Sequence, residues 1–243
     1  MRKFLIAALA TITALAVLAP VSASADAPVA TYEVTITNLT EGQPFTPPLV
    51  AVHRKPVDVF TVGQSASTEL QEIAENGNLG PALAALDPAT NNHVSSLAPL
   101  GGPLVPGGLP SSGMFDDEVT LTVTGDTGAK YLTWASMLIC TNDGFTGIDG
   151  IRLPKEVGDS VTVTTDAYDA GTEVNTEDFA DIVPPCQGLV GNSSDDPGTG
   201  TSNPLLAEGG VIHHHGGIAG GDDLTSLHAW TDPVAVVSIV RVD

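Results

Sequence analysis

The sequence predicts an all-β protein: an antiparallel β-sandwich of about eight strands, with one or two short helices in a crossover. Three observations predict this class. Several segments alternate apolar and polar residues with a period of two, which is typical of strands with one buried face. The chain contains 26 Gly and 18 Pro, which separate these segments with turns. Hydrophobic residues make up 42 % of the chain, enough for a core between two sheets.

Six segments are predicted to be strands. Three of them alternate clearly, and two others are apolar almost throughout, which indicates central strands covered on both faces. A hairpin turn is expected at 125–128, where Gly, Asp and Thr cluster. In chain order the predicted strands are 31–37, 48–53, 118–124, 131–140, 160–165 and 234–242.

One helix is predicted to begin at Thr68, which forms a capping box with Gln71, and to end at Gly77. Apolar residues between these ends share one face of the helix. A second short helix is predicted to start at Pro81. Both helices fall in the long connection before the strand at 118–124, and the segments 99–113 and 188–204 have the composition of loops.

The first 25 residues have the pattern of a secretory signal peptide. Arg2 and Lys3 precede an apolar run over 4–18, and Ala23-Ser24-Ala25 has the form of a cleavage site. We therefore expect a signal peptide over 1–25 and a single domain over 26–243. The mature protein is expected to be secreted, or periplasmic, with no membrane span.

The charge balance excludes nucleic acid as a partner. The chain has 29 Asp and Glu against 8 Lys and Arg, with a formal net charge of −21. Neutralising phosphates requires clustered Lys and Arg on the binding surface. Catalytic motifs such as Gly-x-Ser-x-Gly and His-Glu-x-x-His are missing from the sequence, so an enzyme is not expected.

The two cysteines, Cys140 and Cys186, are expected to form a disulfide, because thiols in exported proteins tend to be oxidised. Two buried free thiols are the alternative. Neither cysteine has a neighbouring pattern of metal ligands or of a catalytic base.

Acidic residues follow two of the predicted strands. Asp143 comes just after the strand ending at Cys140, and Asp169 and Glu173 follow the strand at 160–165. Acidic residues at the ends of neighbouring strands are able to converge on one cation, and calcium suits them best because it accepts carboxylate, carbonyl and water oxygens in irregular geometry. The alternative is that these acids only form turns, and spacing alone favours that alternative.

Four segments resemble the spondin N-terminal domain family, the module of F-spondin, mindin and many secreted bacterial proteins. The two most specific are 135–148, which contains Asp143, and the Asp-Ala-Gly-Thr-Glu run at 169–173. The helix over 66–77 and the last strand over 233–241 also match the family pattern. The resemblance extends from about Tyr32 to Val242.

The resemblance implies a β-sandwich that binds calcium at one end through Asp143, Asp169 and Glu173. Two residues depart from the pattern of animal members: Glu173 stands where they commonly have Asp, and Gly144 where they have Trp. The family implies a further acidic ligand, from the strand before the one that leads to Asp143. The sequence does not identify this ligand. Glu118 is the nearest acid on that strand, Asp126 lies in the turn that follows it, and Asp149 is another candidate for an outer-shell acid.

The implied function is a secreted, calcium-binding adhesion or recognition module without catalytic activity, whose ligand is an extracellular protein or glycan that the sequence does not identify. The alternative is a secreted metal-dependent hydrolase in which Asp143 positions a water molecule. Calcium-bridged membrane binding ranks last, because Phe145 is the single large apolar residue at the corner. The run His213-His214-His215 is predicted to be an exposed loop, since adjacent residues of an extended chain point to opposite faces.

Overall fold

The computed structural model describes residues 29–98 and 101–243. The predicted signal peptide and the predicted start of the mature domain lie outside the described residues. In the described part of the chain, none of the helices is both long and apolar enough to cross a membrane.

Within residues 29–98 and 101–243, ten strands form two antiparallel sheets, which confirms the predicted β-sandwich. In chain order the elements are β1 (Val29–Asn38), β2 (Leu49–His53), α1 (Thr68–Asn76), α2 (Gly80–Ala85), β3 (Val94–Leu97), β4 (Glu118–Asp126), β5 (Tyr131–Met137), β6 (Gly144–Arg152), β7 (Ser160–Thr165), β8 (Ala167–Asp169), a 3-10 turn (Phe179–Asp181), α3 (Pro185–Val190), β9 (His213–His214) and β10 (Ala235–Arg241). The six predicted strands correspond to β1, β2, β4, β5, β7 and β10.

The first sheet has the order β4-β1-β10-β7 and the second has the order β3-β2-β5-β6-β8-β9. Alternate residues of β1, such as Val34 and Ile36, point into the core between the sheets and are fully buried. Leu132 and Trp134 of β5 belong to the same core cluster from the second sheet. Burial of these side chains is the main favourable contribution to folding.

Strand β6 was not predicted, and it positions the acidic residues. It begins at Gly144, directly after Asp143, and it pairs with β5 on one side and β8 on the other. The register places Gly144 opposite Asp169. Because Asp143 precedes Gly144 and Asp169 ends β8, both acids lie at the same end of the second sheet.

The helices differ in detail from the prediction. The N-cap of α1 is Ser67 instead of Thr68: the Ser67 hydroxyl accepts a hydrogen bond from the Leu70 backbone N–H at 3.2 Å. The predicted C-terminal stop is confirmed at Gly77, which is left-handed with a φ of 62°. The segment at 188–204 is not entirely loop, because α3 extends to Val190.

The predicted disulfide is confirmed. Cys140 and Cys186 are bonded, with Cα atoms 5.1 Å apart, and the described residues contain no free cysteine. The bond joins the turn after β5 to α3. Both cysteines are fully buried in a second core cluster that includes Met137, Phe179 and Ile182.

Candidate metal centre

The turn between β5 and β6 is built by Thr141. Its hydroxyl donates a hydrogen bond to the Leu138 carbonyl at 2.7 Å and accepts one from the Gly144 backbone N–H at 2.9 Å. A Cβ atom at Gly144 would overlap the Thr141 Oγ1, at a separation that real Cβ atoms essentially never show. This turn therefore requires glycine at the position where animal members of the resembled family have Trp.

Asp143, in this turn, is fully buried and only partly satisfied. Its Oδ2 accepts hydrogen bonds from the backbone N–H groups of Thr172 at 2.8 Å and Glu173 at 3.0 Å. Its Oδ1 is buried and has no hydrogen-bond partner. Burial and the negative charge of Asp169 raise the pKa of Asp143 to about 6, although the hydrogen bonds act in the opposite direction.

Asp169, at the end of β8, has both carboxylate oxygens occupied. Oδ1 accepts from the Gly171 backbone N–H at 2.7 Å, and Oδ2 accepts from the Asn175 side chain at 2.7 Å. Gly171 is left-handed with a φ of 68°, and a Cβ atom there would lie 2.6 Å from the backbone of Val211. Glycine is therefore required to let the chain turn from Asp169 toward Glu173.

Glu173 is also buried, with 4 % of its surface exposed. Its Oε1 accepts a hydrogen bond from the Asn203 backbone N–H at 3.2 Å. Burial raises the pKa of Glu173 to about 7, and the negative charges of Glu75, Asp143 and Asp181 add to this effect. The structure thus brings the three predicted acids to one end of the second sheet, where their charges repel one another.

A fourth buried acid, Glu75, was missed by the sequence analysis. It is 5 % exposed, and its Oε2 is buried with no hydrogen-bond partner. The segment 202–203 contacts both the end of α1 and Glu173. The Asn76 side chain donates a hydrogen bond to the Ser202 hydroxyl at 3.1 Å, and the Asn203 backbone N–H donates one to Glu173. The one available signal was an acidic residue next to the apolar face of the predicted helix.

The other acids considered as further ligands have different roles. The Glu118 carboxylate accepts a hydrogen bond from Thr37, and Asp126 forms an ion pair with Arg54 at 2.7 Å. Asp149 accepts hydrogen bonds from the Val59 backbone at 3.0 Å and from the Thr133 hydroxyl at 2.9 Å.

The prediction that the histidine run is an exposed loop is wrong in part. His213 and His214 are exposed, but they form β9, which pairs with β8. The Nδ1 of His213 lies 3.7 Å from the Asp169 Oδ1. His215 is buried and contacts the Trp230 ring edge-on, with ring centroids 5.0 Å apart. The three side chains therefore have different surroundings.

The three predicted acids are neighbours but do not form a closed cage. Among the described residues, two other sets of three groups have potential ligand atoms within 4.8 Å of one another: Asp178, Asp196 and Asp223, and Cys140, Cys186 and His228. The cysteine sulfurs in the second set are bonded to each other. A cation shared by Asp143, Asp169 and Glu173 would therefore require these side chains to move inward.

Comparisons with known proteins found no family model that matches this chain and no curated protein that matches it.

Proposed function

We propose that the protein is an exported, calcium-binding module of the spondin type that recognises an extracellular protein or glycan. The resemblance of 135–148 and 169–173 to the spondin pattern supports the family and the recognition role. The observed β-sandwich and disulfide are compatible with both. The calcium-binding part of the proposal has separate support in the geometry of the acidic residues.

One observation supports calcium most strongly: the buried Oδ1 of Asp143 has no hydrogen-bond partner, and Asp143 lies close enough to Asp169 and Glu173 for their charges to interact. A buried carboxylate without a partner is costly, because it loses its hydration without compensation. A bound divalent cation would supply the missing partner and neutralise the repulsion among Asp143, Asp169 and Glu173. The oxygen-only donor set suits calcium, whereas zinc prefers His or Cys.

In this proposal Asp143, Asp169 and Glu173 hold the ion, and Glu75 supplies a fourth carboxylate. The ion would link the β5–β6 turn to the loop that follows β8. That link would stabilise this end of the second sheet, where Asp143 already accepts hydrogen bonds from the backbone of Thr172 and Glu173.

The cavities give the hydrolase no direct support. Cavities of about 320, 370 and 200 Å³ occur in the described residues, and the side chains of Asp143, Asp169 and Glu173 line none of them. A hydrolase requires a substrate cavity beside its metal. Turnover in a panel of hydrolase substrates, lost in Asp143→Asn, would favour the hydrolase over the binding module.

Calcium is expected to raise the Tm of metal-stripped protein by about 3–10 °C at 10 mM. Extracellular modules bind calcium with a Kd of about 0.1–1 mM. Linkage then gives about 1.4–2.7 kcal/mol of stabilisation, and a domain of this size gains about 2–4 °C per kcal/mol. Thermal melting followed by circular dichroism, with and without calcium, measures the shift.

Matched variants test which residues bind the calcium that raises the Tm. Asp143→Asn is expected to abolish the shift, and Glu75→Gln to reduce it. Asp166→Asn and Glu69→Gln are the controls, because Asp166 is partly exposed near β8 and Glu69 lies in the first turn of the same helix as Glu75. Equal melting curves with and without calcium in the unmodified protein would show that the acids are only turn formers.

A further inference from the structure

The basic residues of this acidic protein cluster at one place. Six of its 8 Lys and Arg lie in the described residues. Four of these, Lys130, Arg152, Lys155 and Arg241, line a single cavity of about 320 Å³. The cavity lies beside the turn between β4 and β5, where β1 begins and β6 and β10 end. Such a concentration of cations is unexpected in a chain with a net charge of −21.

Three of the four cations are free to act on a ligand. Arg241 is occupied, because its guanidinium donates hydrogen bonds to the main-chain oxygens of Lys155 and Asp243. Lys130, Arg152 and Lys155 are exposed, and within the described residues none of them has a carboxylate within 4.0 Å. The Arg152 guanidinium lies 5.9 Å from the centre of the Tyr131 ring.

Among the described residues that line the cavity, one is acidic, and a neighbouring cation compensates its charge. This acid is Asp126, whose Oδ2 lies 2.7 Å from a guanidinium nitrogen of Arg54. Hydrogen bonds from the backbone N–H groups of Gly128 and Ala129 also occupy its Oδ1. The charge that faces the cavity is therefore positive, although the protein as a whole is strongly negative.

The cavity also has apolar walls, formed by Val29, Tyr32, Leu153 and Pro154. Its volume falls at the lower end of the range of small-molecule sites, about 300–1,000 Å³. A site with an apolar wall and a few charged groups at its rim orients a ligand by its charged end and buries its body. Cations that are not already paired favour an anion, and Arg also matches planar or bidentate oxyanions.

This cavity is remote from the proposed calcium site of Asp143, Asp169 and Glu173. β6 starts beside Asp143 and ends at Arg152, and eight residue steps of about 3.3 Å separate the two ends by about 26 Å. Charges this far apart are largely screened at physiological ionic strength. A ligand in this cavity is therefore not expected to respond to the charge of a bound calcium ion.

We propose that this cavity binds a small organic anion, in which a carboxylate, sulfate or phosphate group is attached to an aromatic or aliphatic body. Lys130, Arg152 and Lys155 contact the anionic group, and the apolar wall contacts the body.

Isothermal titration with three probes of similar body, benzoate, phenyl sulfate and phenyl phosphate, tests the proposal and identifies the preferred anionic group. At least one probe is expected to bind with a Kd of about 1 mM or tighter, and to bind less tightly as the salt concentration rises. The double variant Arg152→Gln, Lys155→Gln is expected to weaken that probe at least tenfold. Lys55→Gln is the control, because Lys55 is an exposed cation outside this cavity.

Neutral benzyl alcohol and inorganic phosphate test the two halves of the site separately. Benzyl alcohol binding as tightly as the best probe would overturn the role of the cations, and inorganic phosphate binding as tightly would overturn the role of the apolar wall. An unchanged affinity in the double variant, or no binding of any probe at 10 mM, would also overturn the proposal. Asp143→Asn is expected to leave the affinity unchanged, so this test is separable from the calcium proposal.

Discussion

Removing the disulfide in the double variant Cys140→Ser, Cys186→Ser is expected to lower the free energy of unfolding by about 3–4 kcal/mol. The bond closes a loop between residues 46 apart in sequence, and its loss returns the corresponding chain entropy to the unfolded state. The expected fall in Tm is roughly 10 °C. Chemical denaturation of the variant and of the unmodified protein measures the difference.

The same variant is expected to bind calcium more weakly. Cys140 lies in the turn that carries Asp143, and Cys186 lies in α3, downstream of the loop that carries Glu173. The bond therefore ties together the two segments that supply the proposed ligands. Without it, more of the binding free energy would be spent on ordering these segments.

Measurements on the folded variant separate the two effects. Calcium titrations are run well below the Tm of the variant, so that loss of folding does not count as loss of binding. A variant that is less stable but binds calcium with unchanged affinity would show that the disulfide stabilises the fold without organising the metal centre. Equal stability of the two proteins would contradict the loop-entropy argument itself.

In metal-free protein, Asp143→Asn is expected to gain on the order of 2–3 kcal/mol of stability relative to the unmodified protein between pH 4 and pH 8. Burial and the charge of Asp169 raise the pKa of Asp143 to about 6, whereas an unfolded Asp titrates near 3.9. Between these values the folded protein holds the extra proton, so raising the pH lowers its stability. The Asn variant has no such proton to lose.

The comparison with the variant is needed because other groups also titrate. Burial raises the pKa of Glu173 to about 7, so Glu173 also lowers stability as the pH rises. Burial lowers the pKa values of His215 and His228, so these residues destabilise the fold as the pH falls below about 6.5. Denaturant unfolding of both proteins at each pH cancels these shared effects to first order. A difference between the proteins that does not change with pH would contradict the raised pKa of Asp143.

The sequence predicted the strands whose side chains alternate between core and solvent. In β1, for example, Tyr32 and Val34 are buried and Glu33 between them is exposed, so the period of two is visible in the chain itself. Strands β8 and β9 have three and two residues, too few to show a period. They exist because β8 pairs with β6 and β9 pairs with β8, and that pairing is a property of the folded sheet.

The sequence predicts those residues of the candidate site that directly follow a strand in the chain. Asp143, Asp169 and Glu173 follow strands in sequence, and the sheet brings them to one end. Glu75 belongs to a helix about 70 residues before Asp143, and its position follows from how α1 packs against β5 and β6. The four cations that line the proposed anion site, including Arg241, likewise come from three separate parts of the chain, so their proximity depends on the topology of both sheets.

A crystal structure of the protein grown with calcium at about 10 mM tests the central claim most directly. The proposal predicts one ion with oxygens of Asp143, Asp169 and Glu173 at about 2.3–2.6 Å, and with the buried Oδ1 of Asp143 among them. Crystals without an ion at Asp143, Asp169 and Glu173, or with calcium held only by Asp178, Asp196 and Asp223, would contradict the proposal.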